Sequence, residues 1–289
     1  MTTRPIILTA APVAFSSDGS VDLAGSRRIL EHIASSGTDG AFVLGTTGEF
    51  AALSEEERGE LTKLSIETLA GKRLVVHVGA ASAFQAKRLI RQAKDAGATA
   101  VAALTPYYLP ASDAAILSFY REISAAADGL EMYAYLFAAR TGNPVSPELF
   151  AEIARVPGIV GAKISGEGLQ TLEQYRSVAP EGFRLYAGAD RELANVIDHG
   201  AQGVVSGVAS VFPKPFVAMA DAIERGDRGR LASLQADIDA VVDLVDGDPE
   251  RMRAGLAEQG IDAGTSRMAL DQVDEEVRAR LKLAVTQYA

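Results

Sequence analysis

Chemistry in this chain has to be found among lysine, tyrosine, threonine, arginine and the carboxylates. Cysteine is absent, which removes thiolate nucleophiles, thiolate metal sites and disulfides together. The only histidines, His32, His77 and His199, are far apart, so a multi-histidine metal centre or a histidine-activated serine has little to be built from. Each histidine is read as a structural or surface residue. The stretch that stands out is Ile159-Val160-Gly161-Ala162-Lys163-Ile164-Ser165-Gly166, an apolar run with one lysine set into it. Pro157-Gly158 precedes it and Gly166-Glu167-Gly168 follows it. Such a run reads as a buried strand of a parallel sheet, with Lys163 near its C-terminal end. A lysine there is more often a solvated point charge. If instead it faces a barrel mouth, partial desolvation favours the neutral amine, the form that attacks a carbonyl.

Other polar residues end apolar runs in the same manner. Gly45-Thr46-Thr47-Gly48-Glu49 follows Ala41-Phe42-Val43-Leu44, and its glycines and hydroxyls make either a tight turn or a nest for a carboxylate. Thr105-Pro106-Tyr107-Tyr108 follows Ala100 to Leu104, Tyr135 ends Glu131 to Tyr135, and Gly188-Ala189-Asp190 follows Arg184 to Ala187. Ser206-Gly207 ends Gly203 to Ser206. Tyrosines at such places often only bury a ring and offer the hydroxyl to a neighbour. Beside an imine, Tyr108, Tyr135 and Thr46 could pass protons, the work that the missing histidines cannot do. Arg140-Thr141-Gly142 lies just beyond Tyr135, where a guanidinium could reach the mouth and take a carboxylate in a two-pronged contact, or else pair with a surface acid.

These residues need a scaffold that brings strand ends together. Adding Ile6 to Thr9 and Leu74 to Val78 gives eight short apolar strands. A helix-like segment ending in glycine precedes several of them, as at Ser36-Gly37, Ala96-Gly97 and His199-Gly200. Ser54-Glu55-Glu56-Glu57 reads as an N-cap with a capping box, and amphipathic helices fit at 83–96, 112–127, 146–156, 169–178, 191–199 and 213–225. Eight strands alternating with helices predict a closed (β/α)8 TIM barrel, and the first strand carries no glycine-rich dinucleotide fingerprint that would favour an open Rossmann sheet. The barrel is expected over 1–225. Strand signals then stop, and 226–289 reads as a C-terminal helical extension with helices at 231–245, 249–259 and 273–287.

With 289 residues the chain suits one such barrel. A mean hydropathy of +0.10 and no long apolar run argue against a membrane span, and the N-terminus has no convincing secretory pattern, so a cytoplasmic protein is expected. A net charge of -10 without a basic cluster argues against nucleic acid and anionic membranes as partners.

From about Leu8 to Arg225 these segments resemble the family of dihydrodipicolinate synthase and N-acetylneuraminate lyase, the pyruvate-dependent Schiff-base lyases. The matching pieces are Gly45 to Glu49 with Leu53 to Arg58, Thr105 to Tyr108, Tyr135 with Arg140 to Gly142, Gly161-Ala162-Lys163, and Gly188 to Asp190. The resemblance implies a class I mechanism in which Lys163 condenses with pyruvate and the enamine joins an aldehyde, or the reverse reaction cleaves a 2-oxo acid. It implies that Tyr135 is the general acid/base, that Thr46 and Tyr108 complete its relay, and that Thr46 and Thr47 hold the pyruvate carboxylate. Arg140, Gly188, Asp190 and Ser206 are expected at the substrate site. No metal and no cofactor are implied. Tyr108 would act across a tight dimer interface, so a homo-oligomer, commonly a tetramer, is expected. Leu136-Phe137-Ala138-Ala139 is more apolar than is usual in the family, Ile164 stands where a dihydrodipicolinate synthase usually has an acid, and Arg191 where sialic acid lyases usually have one. Both Leu136 and Phe137 are therefore expected to line the pocket. Alternatives are an authentic 4-hydroxy-tetrahydrodipicolinate synthase, a 2-keto-3-deoxy sugar acid aldolase or dehydratase, a metal-dependent lyase on the same fold, and a barrel that binds a 2-oxo acid without turnover.

Overall fold

Eight strands, β1 (Ile6–Ala10), β2 (Gly40–Val43), β3 (Arg73–His77), β4 (Ala100–Leu104), β5 (Glu131–Leu136), β6 (Ile159–Ile164), β7 (Arg184–Ala187) and β8 (Gly203–Ser206), close on themselves in sequence order, every neighbouring pair parallel. The computed structural model describes residues 3–289. Parallel strands need a crossover, and helices supply six of the seven: α1 (Leu23–Ser35), α2 (Glu55–Thr68), α3 (Ala83–Asp95), α4 (Asp113–Ala126), α5 (Ala138–Thr141) with α6 (Pro147–Ile153), and α7 (Leu169–Val178); β7 is joined to β8 without an α-helix, and α8 (Pro213–Arg225) follows β8. The expected TIM barrel is the fold observed.

Period-two alternation divides the strand residues between two cores. One lies between sheet and helices and takes Val43, Val76, Val101, Met132, Ala134, Leu136 and Ile164 among others. The other fills the barrel interior with Leu8, Phe42, Val75, Ala102, Leu104, Tyr133, Tyr135, Tyr186 and Val205. This alternation corrects one expectation. Leu136 follows inward-facing Tyr135 and so points outward to the helices, leaving Phe137 alone of the pair on the interior side.

The capping box of α2 forms as the sequence predicts: Glu57 N–H donates to Ser54 Oγ, and Ser54 N–H donates to the Glu57 carboxylate at 2.8 Å. The helix expected over 191–199 does not form. A 3-10 turn covers Asp190–Ala194 and irregular turns follow. The backbone closes separate turns within the segment, as in Asn195 N–H to the Glu192 carbonyl and Gly200 N–H to that of Ile197, while Gln235 of α9 (Arg228–Val245) donates to the Arg191 carbonyl and the Arg191 side chain pairs with Asp239 and Asp243. Beyond α9 lie α10 (Pro249–Ala257) and α11 (Glu275–Tyr288). No helix among the described residues is long and apolar enough to cross a membrane.

Candidate active site

Lys163 reaches the barrel interior because of one extra residue. In β6, Ile159 belongs to the outer core, as do Ala162 and Ile164. Odd and even positions cannot share a face in an unbroken strand. The pairing of β5 with β6 shifts between Met132, opposite Ile159, and Tyr133, opposite Gly161, leaving Val160 as a bulge. Past the bulge the parity is reversed, and Lys163 turns inward opposite Tyr135. Gly161 belongs to the same device, since a Cβ there would sit 2.6 Å from the Tyr133 ring and 2.4 Å from the Arg184 carbonyl oxygen.

The Lys163 side chain is buried, with Nζ 4.3 Å from the Tyr135 ring centroid and 4.6 Å from that of Phe42. Ring faces are its neighbours where a surface lysine would have a carboxylate, so the nitrogen is free to meet a ligand. Tyr135 is itself buried, and its hydroxyl shares a 3.1 Å hydrogen bond with Thr46 Oγ1. Lys163, Tyr135 and Thr46 therefore come together as expected. Thr47 lies beside them, and Gly207 leaves room for its hydroxyl, which would be 3.3 Å from a Cβ at that position.

Three elements shape the Thr46–Thr47 loop. Leu44 and Glu49, which flank it, both have left-handed backbone, with φ of 59° and 51°, a conformation that costs about 1 kcal/mol or more for a residue with a side chain. His77, fully buried, restrains the first: Nδ1 faces the Leu44 carbonyl at 2.8 Å, and Nε2 accepts from Leu104 N–H at 3.2 Å. That pair of partners requires the neutral Nδ1–H tautomer. Burial, reinforced by the Arg58 cation, holds the ring well below its ordinary pKa. His77 is thus structural, as read from sequence. Arg58 donates to the carbonyls of His77 (2.7 Å) and Gly79 (3.0 Å), and burial lowers its pKa to about 10.

Glu49 restrains the other end of the loop. Its buried carboxylate pairs with buried Arg253 of α10 and accepts from Ser266 Oγ (2.6 Å) and Met268 N–H (2.7 Å). Arg253 also donates to the Val13 carbonyl at 2.8 Å, and Arg267 makes a two-pronged pair with Glu57. Removing either member of a buried pair strands the other, at a cost of roughly 3–5 kcal/mol. Helix α10 and the loop that follows it thus fix the shape of a turn more than 200 residues earlier. Sequence reading placed Glu49 in a motif without assigning this role, and no local pattern marks Arg253 or Ser266 as its partners.

Tyr107 and Tyr108 part company. Tyr107 is half-buried, its ring edge-on to Phe50 at 5.7 Å. Tyr108 is 89% exposed and has φ of 82°. Within the chain it makes no hydrogen bond to Thr46 or Tyr135, so one chain does not by itself assemble the expected relay of three hydroxyls. Asn143 holds this loop by donating to the carbonyls of Pro106 (2.8 Å) and Leu109 (3.2 Å) and accepting from Ala111 N–H (2.8 Å). Its buried amide was not foreseen from sequence, although it follows directly on Arg140-Thr141-Gly142. Arg140 is exposed at the mouth, 5.8 Å from the Phe137 ring centroid, with no acidic partner among the described residues.

On the far side, a Cβ on Gly188 would strike the Ser165 hydroxyl at 2.1 Å. Asp190 is only partly covered as a residue, but its Oδ1 is buried and has no hydrogen-bond partner among the described residues. Burial pushes this carboxyl up to about 6, opposed by the Ser206 hydroxyl and the charge of Lys163. Ser206 is fully buried, and its Oγ accepts from Ala209 N–H at 3.0 Å. No group of three or more His, Asp or Glu residues able to hold a metal occurs among the described residues.

The model of the dihydrodipicolinate synthetase family matches residues 5–288. A 4-hydroxy-tetrahydrodipicolinate synthase of Methylococcus capsulatus is 33% identical over 98% of this chain and 97% of its own. The crystal structure of a dihydrodipicolinate synthase from Thermotoga maritima superposes with a TM-score of 0.90 at 26% identity, covering 99% of each chain. A sialic acid aldolase of Ruminococcus gnavus, at 20% identity, shares the fold with a TM-score of 0.91 over 98% of this chain and 96% of its own.

Proposed function

The chain belongs to the dihydrodipicolinate synthetase family and is a lyase of that family, and from this premise we propose that Lys163 forms an imine with pyruvate. The Lys163 amine adds to the pyruvate ketone, and water leaves. Tyr135, over the lysine and hydrogen-bonded to Thr46, takes and returns the protons of that exchange. Loss of a proton from the methyl carbon gives the enamine, which joins an aldehyde; the reverse sequence cleaves a 2-oxo acid. Thr46 and Thr47 hold the pyruvate carboxylate in the turn that Leu44 and Glu49 impose, and Gly188, Asp190 and Ser206 close the site on the β7–β8 side. Arg140, exposed and without an acidic partner, receives an anionic group on the second reactant. Exposed Tyr108, held in a left-handed backbone at the rim, fits a role in the site of a neighbouring subunit of a homo-oligomer.

The observation that carries this reading is the register of Lys163 opposite Tyr135 inside the barrel, with the Tyr135 hydroxyl on Thr46. A barrel that needed only its fold would not require that set of groups. Borohydride treatment in the presence of pyruvate should add one reduced pyruvate to the intact mass, and peptide mapping should place it on Lys163. Lys163→Ala should remain folded, take up no adduct and lose turnover. An adduct on another lysine, or none, would exclude the mechanism.

A further inference from the structure

Between the barrel mouth and the C-terminal extension runs a cleft of about 230 Å³. Its inner end is the Thr46–Thr47 loop, and its walls include Phe50, Leu104 and Tyr107. The outer end is formed by Pro249, Met268 and Leu270 of the extension. Two charged residues border it, Glu49 and Arg140. Glu49 is occupied by Arg253, Ser266 and the Met268 N–H, so Arg140 at the rim is the one charge available to a ligand. Between the threonines and Arg140 the walls are hydrocarbon and aromatic. Met268 and Leu270 are still 43% and 39% exposed there, apolar surface that an apolar ligand would remove from water.

A polyhydroxylated reactant lying in this cleft would lose water from its hydroxyls and find few partners for them, a loss that discriminates strongly against it. An aromatic ring would instead meet the edge-to-face pair of Phe50 and Tyr107, whose ring planes stand 83° apart. We infer that this cleft is the acceptor subsite and that it selects aldehydes with an apolar, preferably aromatic, body. The inference rests on the Lys163 imine proposed above. In the step itself the enamine carbon, formerly the pyruvate methyl, bonds to the aldehyde carbon, and the carbonyl pair moves to oxygen, which takes a proton. Water then hydrolyses the imine and releases a 4-hydroxy-2-oxo acid with an aryl group on C4, freeing the Lys163 amine. No oxidant or reductant is needed.

The test compares benzaldehyde with glyceraldehyde, each with pyruvate and the purified full-length protein, with rates expressed per unhydrated aldehyde. Both acceptors are neutral, so Arg140 does not bias the comparison. The expected result is a kcat/KM at least about tenfold higher for benzaldehyde, although conjugation makes it the less reactive carbonyl. In a Met268→Asp, Leu270→Asp variant that ratio should fall below about twofold, and in the milder Met268→Gln it should lie between. A ratio measured on one preparation does not depend on how much of that preparation is folded. Equal or better use of glyceraldehyde by the unaltered protein, alongside a borohydride-trapped pyruvate adduct on Lys163, would overturn the apolar subsite and leave the imine standing. A ratio untouched by both variants would overturn the assignment to this cleft. Absence of the adduct would remove the imine and the inference together.

Discussion

The two ends of the barrel place left-handed backbone on different residues. At the N-terminal end, each of the seven connections leading into β2 through β8 has a glycine at positive φ: Gly37, Gly71, Gly97, Gly129, Gly158, Gly182 and Gly200. Glycine adopts that conformation without steric cost. At the C-terminal end the same conformation falls on Gly142 and Gly166 but also on three residues with side chains, Leu44, Glu49 and Tyr108. The floor cavity beneath Lys163 is lined by three cations: Arg184 is paired with Glu131 at 2.8 Å and lies over the Tyr133 ring, while Lys72 and Arg73 have no ion-pair partner among the described residues. At the mouth neither Lys163 nor Arg140 has an ion-pair partner among the described residues, and Asp190 keeps an unsatisfied oxygen. What sets the mouth apart is left-handed backbone on residues with side chains and a buried carboxylate oxygen without a donor, where a ligand can use them.

The contrast is broken most severely by separating Tyr108 from Lys163. If Tyr108 serves a neighbouring subunit, mixtures of inactive Tyr108→Phe and Lys163→Ala proteins should regain partial activity, because some sites then hold both residues. Hybrids no better than their parents would return Tyr108 to the rim of its own chain. Arg140→Ala should act next in size. It should lower kcat/KM for an aldehyde bearing a carboxylate by roughly 1.5–3 kcal/mol, as expected for a lost charge-assisted hydrogen bond. A neutral aldehyde should be affected much less, and equal losses on both would make the arginine structural.

Asp190 gives a pH signature. Its folded carboxyl holds a proton up to about 6, whereas an unfolded aspartate releases it near 4. Its contribution to stability is therefore full below that lower value and is lost as the pH rises through about 6. Asp190→Asn removes this dependence, so its melting temperature relative to the unaltered protein should climb by roughly 2–5 °C between pH 4 and pH 8. A difference flat with pH would show that the carboxyl is solvated. The smallest effect belongs to the floor. Gly97 has φ of 93° and open space around it, so Gly97→Ala should cost about 1 kcal/mol in denaturant unfolding through backbone strain alone. Its kcat should not change, and a change would mean that the two ends are coupled.

What could be read from the sequence follows from how locally each feature is determined. Strands such as Ala100–Leu104 and helices such as Leu169–Val178 were legible to the residue, because apolar runs and their glycine and serine boundaries are neighbours in the chain. Lys163, Tyr135 and Thr46 were legible as strand-end residues. The device that turns Lys163 inward was not, because Val160, Gly161 and Ala162 are apolar or small and give no alternation to interrupt. Leu136 was misplaced for the same want of a parity reference, and the turns after Asp190 because Gln235, Asp239 and Asp243, which bond to Arg191, lie on α9. Asn143, His77 and Arg58 bond to backbone carbonyls or amides of other segments, which leave no signature in residue type.

The pairing of Glu49 with Ser266 spans 217 positions, and that separation sets an order of events during synthesis. The ribosome delivers Lys163, Tyr135 and both threonines well before the segment that holds Glu49 in place. Contacts so distant in sequence form late, because the loop they close must first be drawn together. A nascent chain lacking its last few dozen residues would have Lys163, Tyr135 and both threonines but not the contacts that give the Thr46–Thr47 turn its final shape. On the mechanism proposed above, a chain released early would carry the amine without the finished turn beside it.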